Sequence, residues 1–164
     1  MKQLKPWFEQ AAESKWGLRK LNWALWYKLP FNRPHGIRLM EARPGYVAAR
    51  LPFKRSNLNH LKTMHACAMA TVAEFSAGTC LLSLAWPFRY RLIMKSMHME
   101  YMRRVESEVQ AQCTIEPERL TTWLEELDTQ DGRILIPLKT MLFDAQGNAV
   151  AEGITHWHIK RTLD

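Results

Sequence analysis

The sequence contains no CxxC pair, no phosphate-binding glycine loop, no Rossmann glycine pattern and no serine nucleophile elbow. Nucleotide binding and serine hydrolysis therefore lack their usual signatures. Cysteine is scarce. Cys67, Cys80 and Cys113 are an odd number, which argues against a disulfide framework. The opening residues, MKQLKPWFEQ, carry charge where a secretory signal would hold an apolar run. Free, reduced cysteines in the cytoplasm are the expectation. His156 and His158 share a strand face, but a pair without a nearby carboxylate or thiol rarely binds metal. Neither a metal nor a cofactor is expected. Repeats and low-complexity stretches are also missing.

Acidic residues are in deficit. Lys and Arg number 23 against 16 Asp and Glu, a formal charge of +7. Such a balance suits nucleic acid, a membrane surface, or an acidic small molecule or partner. No nucleic-acid motif accompanies it, so nucleic acid is not expected. What is present is ample apolar matter: 47% of 164 residues, enough for one domain with one sizeable core.

Thr63 to Ala85 has no Pro, Lys, Arg or Asp and one glycine, Gly78. As a helix it would run about 34 Å. Its only ionisable groups besides thiols are His65 and Glu74. A surface helix would carry a charged face. This one is expected to be buried nearly all round; a membrane span would place Glu74 at mid-bilayer, which is costly. Trp7 to Leu29 reads as one helix, with Leu18, Leu21, Leu25 and Leu29 at helical spacing, ended by Pro30 and Pro34. Ile37–Glu41 and Tyr46–Phe53 read as strands turned at Pro44-Gly45. Val105 to Ile115 alternates with period two, and Leu92–Met102 is its expected hairpin partner. Glu118–Leu127 reads as a helical excursion. Ile134–Phe143 and Val150–Lys160 flank the turn signal Asp144-Ala-Gln-Gly-Asn148. The class is α+β, a curved antiparallel sheet covering a single long helix.

The segment Asn59-His-Leu-Lys-Thr-Met-His65-Ala66, followed by Glu74, resembles the small acyl-CoA thioesterases of the hotdog superfamily. The family places an Asn six residues before a His-Gly pair and an acid nine residues after the His. Asn59, His65 and Glu74 keep both spacings, while Ala66 replaces the glycine. Through strand order the likeness covers about Ile37 to Lys160. It is strongest to a thioesterase-like branch known only as a domain of unknown function. The resemblance implies a hotdog domain over residues 36–164 behind a basic, aromatic helix over residues 1–35. It implies hydrolysis of an acyl thioester, on CoA or an acyl carrier protein. Glu74 would be the general base or nucleophile, the Ala66 N–H an oxyanion donor, and Asn59 would help orient the carbonyl. It also implies a homodimer or homotetramer, with each site shared between two chains. His65 and Glu74 stand nine residues apart, about 180° around one helix, which fits a shared site.

The residues keep other readings open. Glu74 has Ala70, Thr71, Ala77 and Gly78 as helical neighbours and no cation on its helix, so its pKa should rise. It could instead reach water at a bend or cap a loop. His65 could be a helix-start histidine satisfied by a loop carbonyl. Cys67 reads as a small core residue. A non-catalytic acyl-thioester or lipid-binding module is the alternative function, favoured by Ala66. A dehydratase is third, because His60 precedes Glu74 by fourteen residues. The N-terminal segment bears Lys2, Lys5, Lys15, Arg19, Lys20, Lys28, Arg33 and Arg38 against Glu9 and Glu13. Trp16, Trp23 and Trp26 are expected to cover apolar surface near the pocket or to meet a membrane interface, which makes peripheral membrane contact an open partner reading.

Overall fold

The computed structural model describes residues 5–84 and 89–162. Two helices come first, α1 (Lys5–Glu13) and α2 (Lys15–Lys28), then a 3-10 turn at Pro30–Asn32. Strands β1 (Arg38–Arg43) and β2 (Tyr46–Leu51) lead through a loop into α3 (Ala66–Ser83). The order then runs β3 (Tyr90–Tyr101), β4 (Val109–Thr114), α4 (Pro117–Thr129), β5 (Arg133–Phe143) and β6 (Ala149–Arg161). The six strands form one antiparallel sheet in the order β1-β2-β4-β5-β6-β3. The sheet packs on α3 in the hotdog arrangement expected from the sequence.

Burial explains why α3 lacks charge. Twelve of its 18 residues are buried, from Ala68 to Ser83. By length and composition this helix could cross a membrane, but its apolar surface is spent on the sheet. Val47, Ala49 and Leu51 of β2, Ala111 of β4, Leu142 of β5 and Ile159 of β6 belong to the same core. The alternation expected of β4 is present, with Val109, Ala111 and Cys113 buried.

Three expectations need correction. The N-terminal segment is two helices, not one. Ser14 leaves helical geometry at φ −151° and its hydroxyl accepts the Gly17 N–H at 3.0 Å, capping α2. Gly17 permits the sharp join, since a Cβ there would stand 1.9 Å from the Gln10 carbonyl oxygen. The long helix begins at Ala66 rather than Thr63, because the Thr63 carbonyl accepts the Asn59 N–H of the preceding loop, while the His65 carbonyl accepts the helical amides of Ala68 and Met69. Its last expected residue, Ala85, lies outside the described residues. Finally, β3 is not the hairpin partner of β4. It pairs with β6 along its whole length, Tyr90 opposite Arg161 and Tyr101 opposite Ala151, while β4 lies between β2 and β5. The connection 102–108 has no Gly, Pro, Asn or Asp to make a tight turn. It crosses the end of the sheet instead, held by the Met102 and Arg103 amides on the Val150 carbonyl.

The crossover leaves β3 at an edge. One side of its backbone pairs with β6, and among the described residues the other meets no strand. Ile93, Met94 and Tyr101 are exposed along it, an uncovered edge of 12 residues.

Candidate active site

The loop before α3 is built on two asparagines. Asn57 is 1% exposed, and its amide donates to the carbonyls of His35 and Pro52, both at 2.9 Å. Its Oδ1 meets His35 Nδ1 at 3.0 Å, and its carbonyl accepts the His65 N–H at 2.8 Å. Asn57 thus ties the ends of β2 and of the 34–36 turn to the start of α3. Replacing it with Ala would strand buried carbonyls, and N57A should lose ~1–3 kcal/mol in a denaturant melt. A loss below that range would mean water replaces the side chain.

Asn59 shapes the loop itself. Its Oδ1 accepts the Leu61 N–H at 2.9 Å and the Thr63 N–H at 3.1 Å, and its Nδ2 donates to Thr63 Oγ1 at 2.8 Å. Lys62 takes φ 58° in the same turn, and His60 and Leu61 stand exposed there. The expected task for Asn59 was to orient a substrate carbonyl; here both ends of its amide are engaged by the loop.

His65 caps α3. Its backbone is extended, φ −70° and ψ 135°, and its Nδ1 accepts the Cys67 N–H at 3.0 Å. An accepting Nδ1 is unprotonated, so the ring proton of the neutral form sits on Nε2. His65 is therefore a cap made by a side chain. Ala66 follows as the first helical residue. Among the described residues its N–H meets no acceptor, and its methyl group is exposed. Its carbonyl accepts the Tyr101 hydroxyl at 3.0 Å, which links the helix start to the end of β3. Burial, and secondarily the Cys67 thiol, hold the Tyr101 phenol above its ordinary value. Cys67 is exposed, contrary to the core position expected of it. It sits in the first turn, before α3 passes under the sheet.

One stripe of α3 stays open. Cys67, Ala70, Thr71 and Glu74 recur at i, i+3, i+4 and i+7, the first exposed and the rest half-buried. The stripe ends at Gly78, where a Cβ would stand 3.0 Å from the Trp157 ring. Glu74 thus reaches solvent along that stripe, from a helix that is mostly buried. Among the described residues no hydrogen bond or ion pair engages its carboxylate. Desolvation raises its pKa above the ordinary 4.5. Ala66 to Glu74 is eight residues, about 12 Å along the axis. Within one chain the free amide and the free carboxylate are too far apart to hold one carbonyl. The sequence thus brought Asn59, His65 and Ala66 to one place and Glu74 to another. It missed Asn57 and Tyr101, because a loop asparagine and a strand tyrosine carry no local mark of such contacts.

Comparison with known proteins bears on what this arrangement is. The profile of a domain of unknown function, DUF4442, matches residues 17–159. The chain belongs to the DUF4442 family. No curated protein matches it. Among solved structures, this DUF4442 chain is 28% identical to a Pseudomonas aeruginosa protein of unknown function called a probable thioesterase. That likeness has a TM-score of 0.79 and covers 88% of this chain and 96% of the other. A thioesterase from Haemophilus influenzae is 15% identical, with a TM-score of 0.71 over 90% of this chain and 92% of its own. A mutant of a second Pseudomonas aeruginosa thioesterase is 16% identical, with a TM-score of 0.70 over 88% and 94%. The last two show the fold alone. The DUF4442 chain is thus a thioesterase-like hotdog protein.

Proposed function

We propose that this protein hydrolyses an acyl thioester, carried by CoA or by an acyl carrier protein, in the cytoplasm, at sites completed between two copies of the chain. The observation that carries this reading is Glu74. It is a half-open carboxylate with a raised pKa and no partner among the described residues, on an open stripe of a mostly buried helix. A carboxylate left half-buried without a partner is a functional-site candidate.

The chemistry follows from the parts. Glu74 takes a proton from water as the water oxygen attacks the thioester carbonyl carbon. The carbonyl oxygen gains the negative charge, and the Ala66 N–H at the helix N-terminus donates to it. The tetrahedral centre collapses, the C–S bond breaks, and the thiolate takes the proton back from Glu74. The products are a free acid and a free thiol. No cofactor is needed for any step.

Among the described residues, one copy leaves a strand edge unpaired and the two parts of the site apart. The uncovered β3 edge offers backbone N–H and C=O groups to another strand. Antiparallel apposition of two α3 helices would bring the Glu74 of one chain toward the Ala66 amide of the other. Release of free thiol from a panel of acyl-CoAs and acylated carrier proteins, with light scattering on the same sample, tests both halves. Turnover by a dimer or a dimer of dimers is expected. Turnover by a strict monomer at micromolar concentration would end the shared site.

One observation favours a second reading, a non-catalytic acyl-thioester or lipid-binding module. Ala66 is exposed and puts a methyl beside the amide, where the thioesterases that this chain resembles have glycine. If the wild type releases no thiol while Ala66→Gly does, the module reading prevails and position 66 marks where catalysis was lost.

A further inference from the structure

Of the two roles expected for Trp16, Trp23 and Trp26, apolar cover near the pocket or contact with a membrane interface, the structure does not show the first: all three are exposed. Helix α2 buries one stripe, Gly17, Leu21 and Leu25. Trp16, Trp23 and Tyr27 lie on the opposite side, with Trp26 turned partly toward them. Trp16 is 64% exposed and Trp23 65%, and Phe31 just beyond the helix is 72% exposed. A solvated helix face is normally charged or polar; this one is aromatic. Trp7 of α1 joins it, and with Trp16, Arg19, Lys20 and Trp23 it lines a shallow groove of about 400 Å³.

The charges on this face have one sign. Helix α2 carries Lys15, Arg19, Lys20 and Lys28 and no acid. The cations lie among the rings: Lys20 Nζ is 5.4 Å from the Trp16 ring centre, and the Arg33 guanidinium is 4.4 Å from that of Trp26. Trp23 and Tyr27 stack at 6.1 Å, so the rings form a surface rather than isolated side chains. A face of amphipathic rings with interleaved cations matches the boundary of an anionic bilayer, where rings enter the headgroup layer and cations meet phosphate. It does not match itself. A twofold pairing of this face would set Arg19 and Lys20 near their own copies.

We propose that the outer face of α2, with Trp7 and Phe31, docks this protein peripherally on a membrane containing anionic lipid. Glu9 and Glu13 on α1 are the exposed acids nearest in sequence, and both precede α2. The docking face is separate from the open stripe of α3, and the proposal does not rest on thioester hydrolysis.

The full chain is sedimented with vesicles of phosphatidylcholine alone and of phosphatidylcholine mixed with phosphatidylglycerol. Binding to the mixed vesicles, a blue shift of tryptophan emission and release by high salt are expected. Two independent variants, W16A/W23A and R19E/K20E, should each weaken vesicle binding ~10-fold or more. Their circular dichroism and melting should stay those of the wild type, because all four side chains are exposed. Failure of the wild type to bind the anionic vesicles overturns the proposal, as does wild-type binding by both variants. A drop in oligomeric mass on light scattering of either variant would also overturn it, by showing that the face joins copies of the chain.

Discussion

Glu74→Gln should cut thioester hydrolysis by ~10²–10⁴-fold, the usual weight of acid–base catalysis. Gln keeps the shape and removes the proton acceptor. The fold should hold or gain stability, since a half-buried charge with no partner among the described residues has gone. The pH dependence has a definite sign. Burial raises the folded pKa of Glu74 above the ordinary 4.5, so the fold prefers the neutral acid. That contribution is fully present below the unfolded value and is lost as pH climbs through the folded one. The stability advantage of E74Q should therefore open as pH rises and vanish below about 4.5. Wild-type turnover should rise through the same folded pKa, because the base form does the work. A variant that melts earlier by ~1–3 kcal/mol yet keeps full turnover would show that Glu74 anchors structure through partners lost in the change.

The second large effect concerns the free amide of Ala66, and it separates a shared site from one built within a chain. Proline is well accepted at the first helical position, where its missing N–H costs no helical bond. His65, with φ −70° and ψ 135°, already has the extended backbone that a following proline requires. Ala66→Pro should thus fold normally while removing the oxyanion donor, and turnover should fall ~10²–10³-fold. If each site takes its amide from one chain and its carboxylate from the other, two inactive variants can rescue one another. Unfolding and refolding A66P together with E74Q in equal amounts should restore about a quarter of wild-type turnover, through mixed dimers with one intact site. Sites made within single chains would give no rescue, and a mixture that stays as inactive as its parts would refute the sharing. The reading of Glu74 as the base would survive that result.

Much of this was legible in the sequence where local chemistry is decisive. A run from Thr63 to Ala85 without Lys, Arg, Asp or Pro marks a helix with no charged face, and Ala66–Ser83 is a helix with 12 of its 18 residues buried. The Asp144–Asn148 turn fixed the β5–β6 hairpin, because Asp144 Oδ1 accepts the amides of Gln146 and Asn148 within the turn itself. The absence of a cation at helical spacing around Glu74 marked a lone acid, and its carboxylate has no partner among the described residues; the helix start, expected at Thr63, stands at Ala66. Chain neighbourhood misled over β3 and β4. Adjacent strands without turn residues between them are free to separate, and β3 went to β6.

What only the tertiary structure decided is how each element is turned and what it meets. Leucine and tryptophan repeat together through residues 16–29, so periodicity shows that the helix has two faces without saying which meets the core. Packing resolved it: the leucine stripe against the domain, the tryptophans outward. Asn57 and Asn59 are the same residue type two positions apart. One is buried among carbonyls from His35 and Pro52, and the other closes its own loop. That difference lies in which distant backbone comes near, and no local pattern encodes it. The same holds for the open stripe of α3. The sequence determined that Glu74 has no partner on its own helix. Packing of the sheet decided that water reaches it, because the Trp157 ring closes on the stripe at Gly78 while Glu74, one turn earlier, stays half-buried.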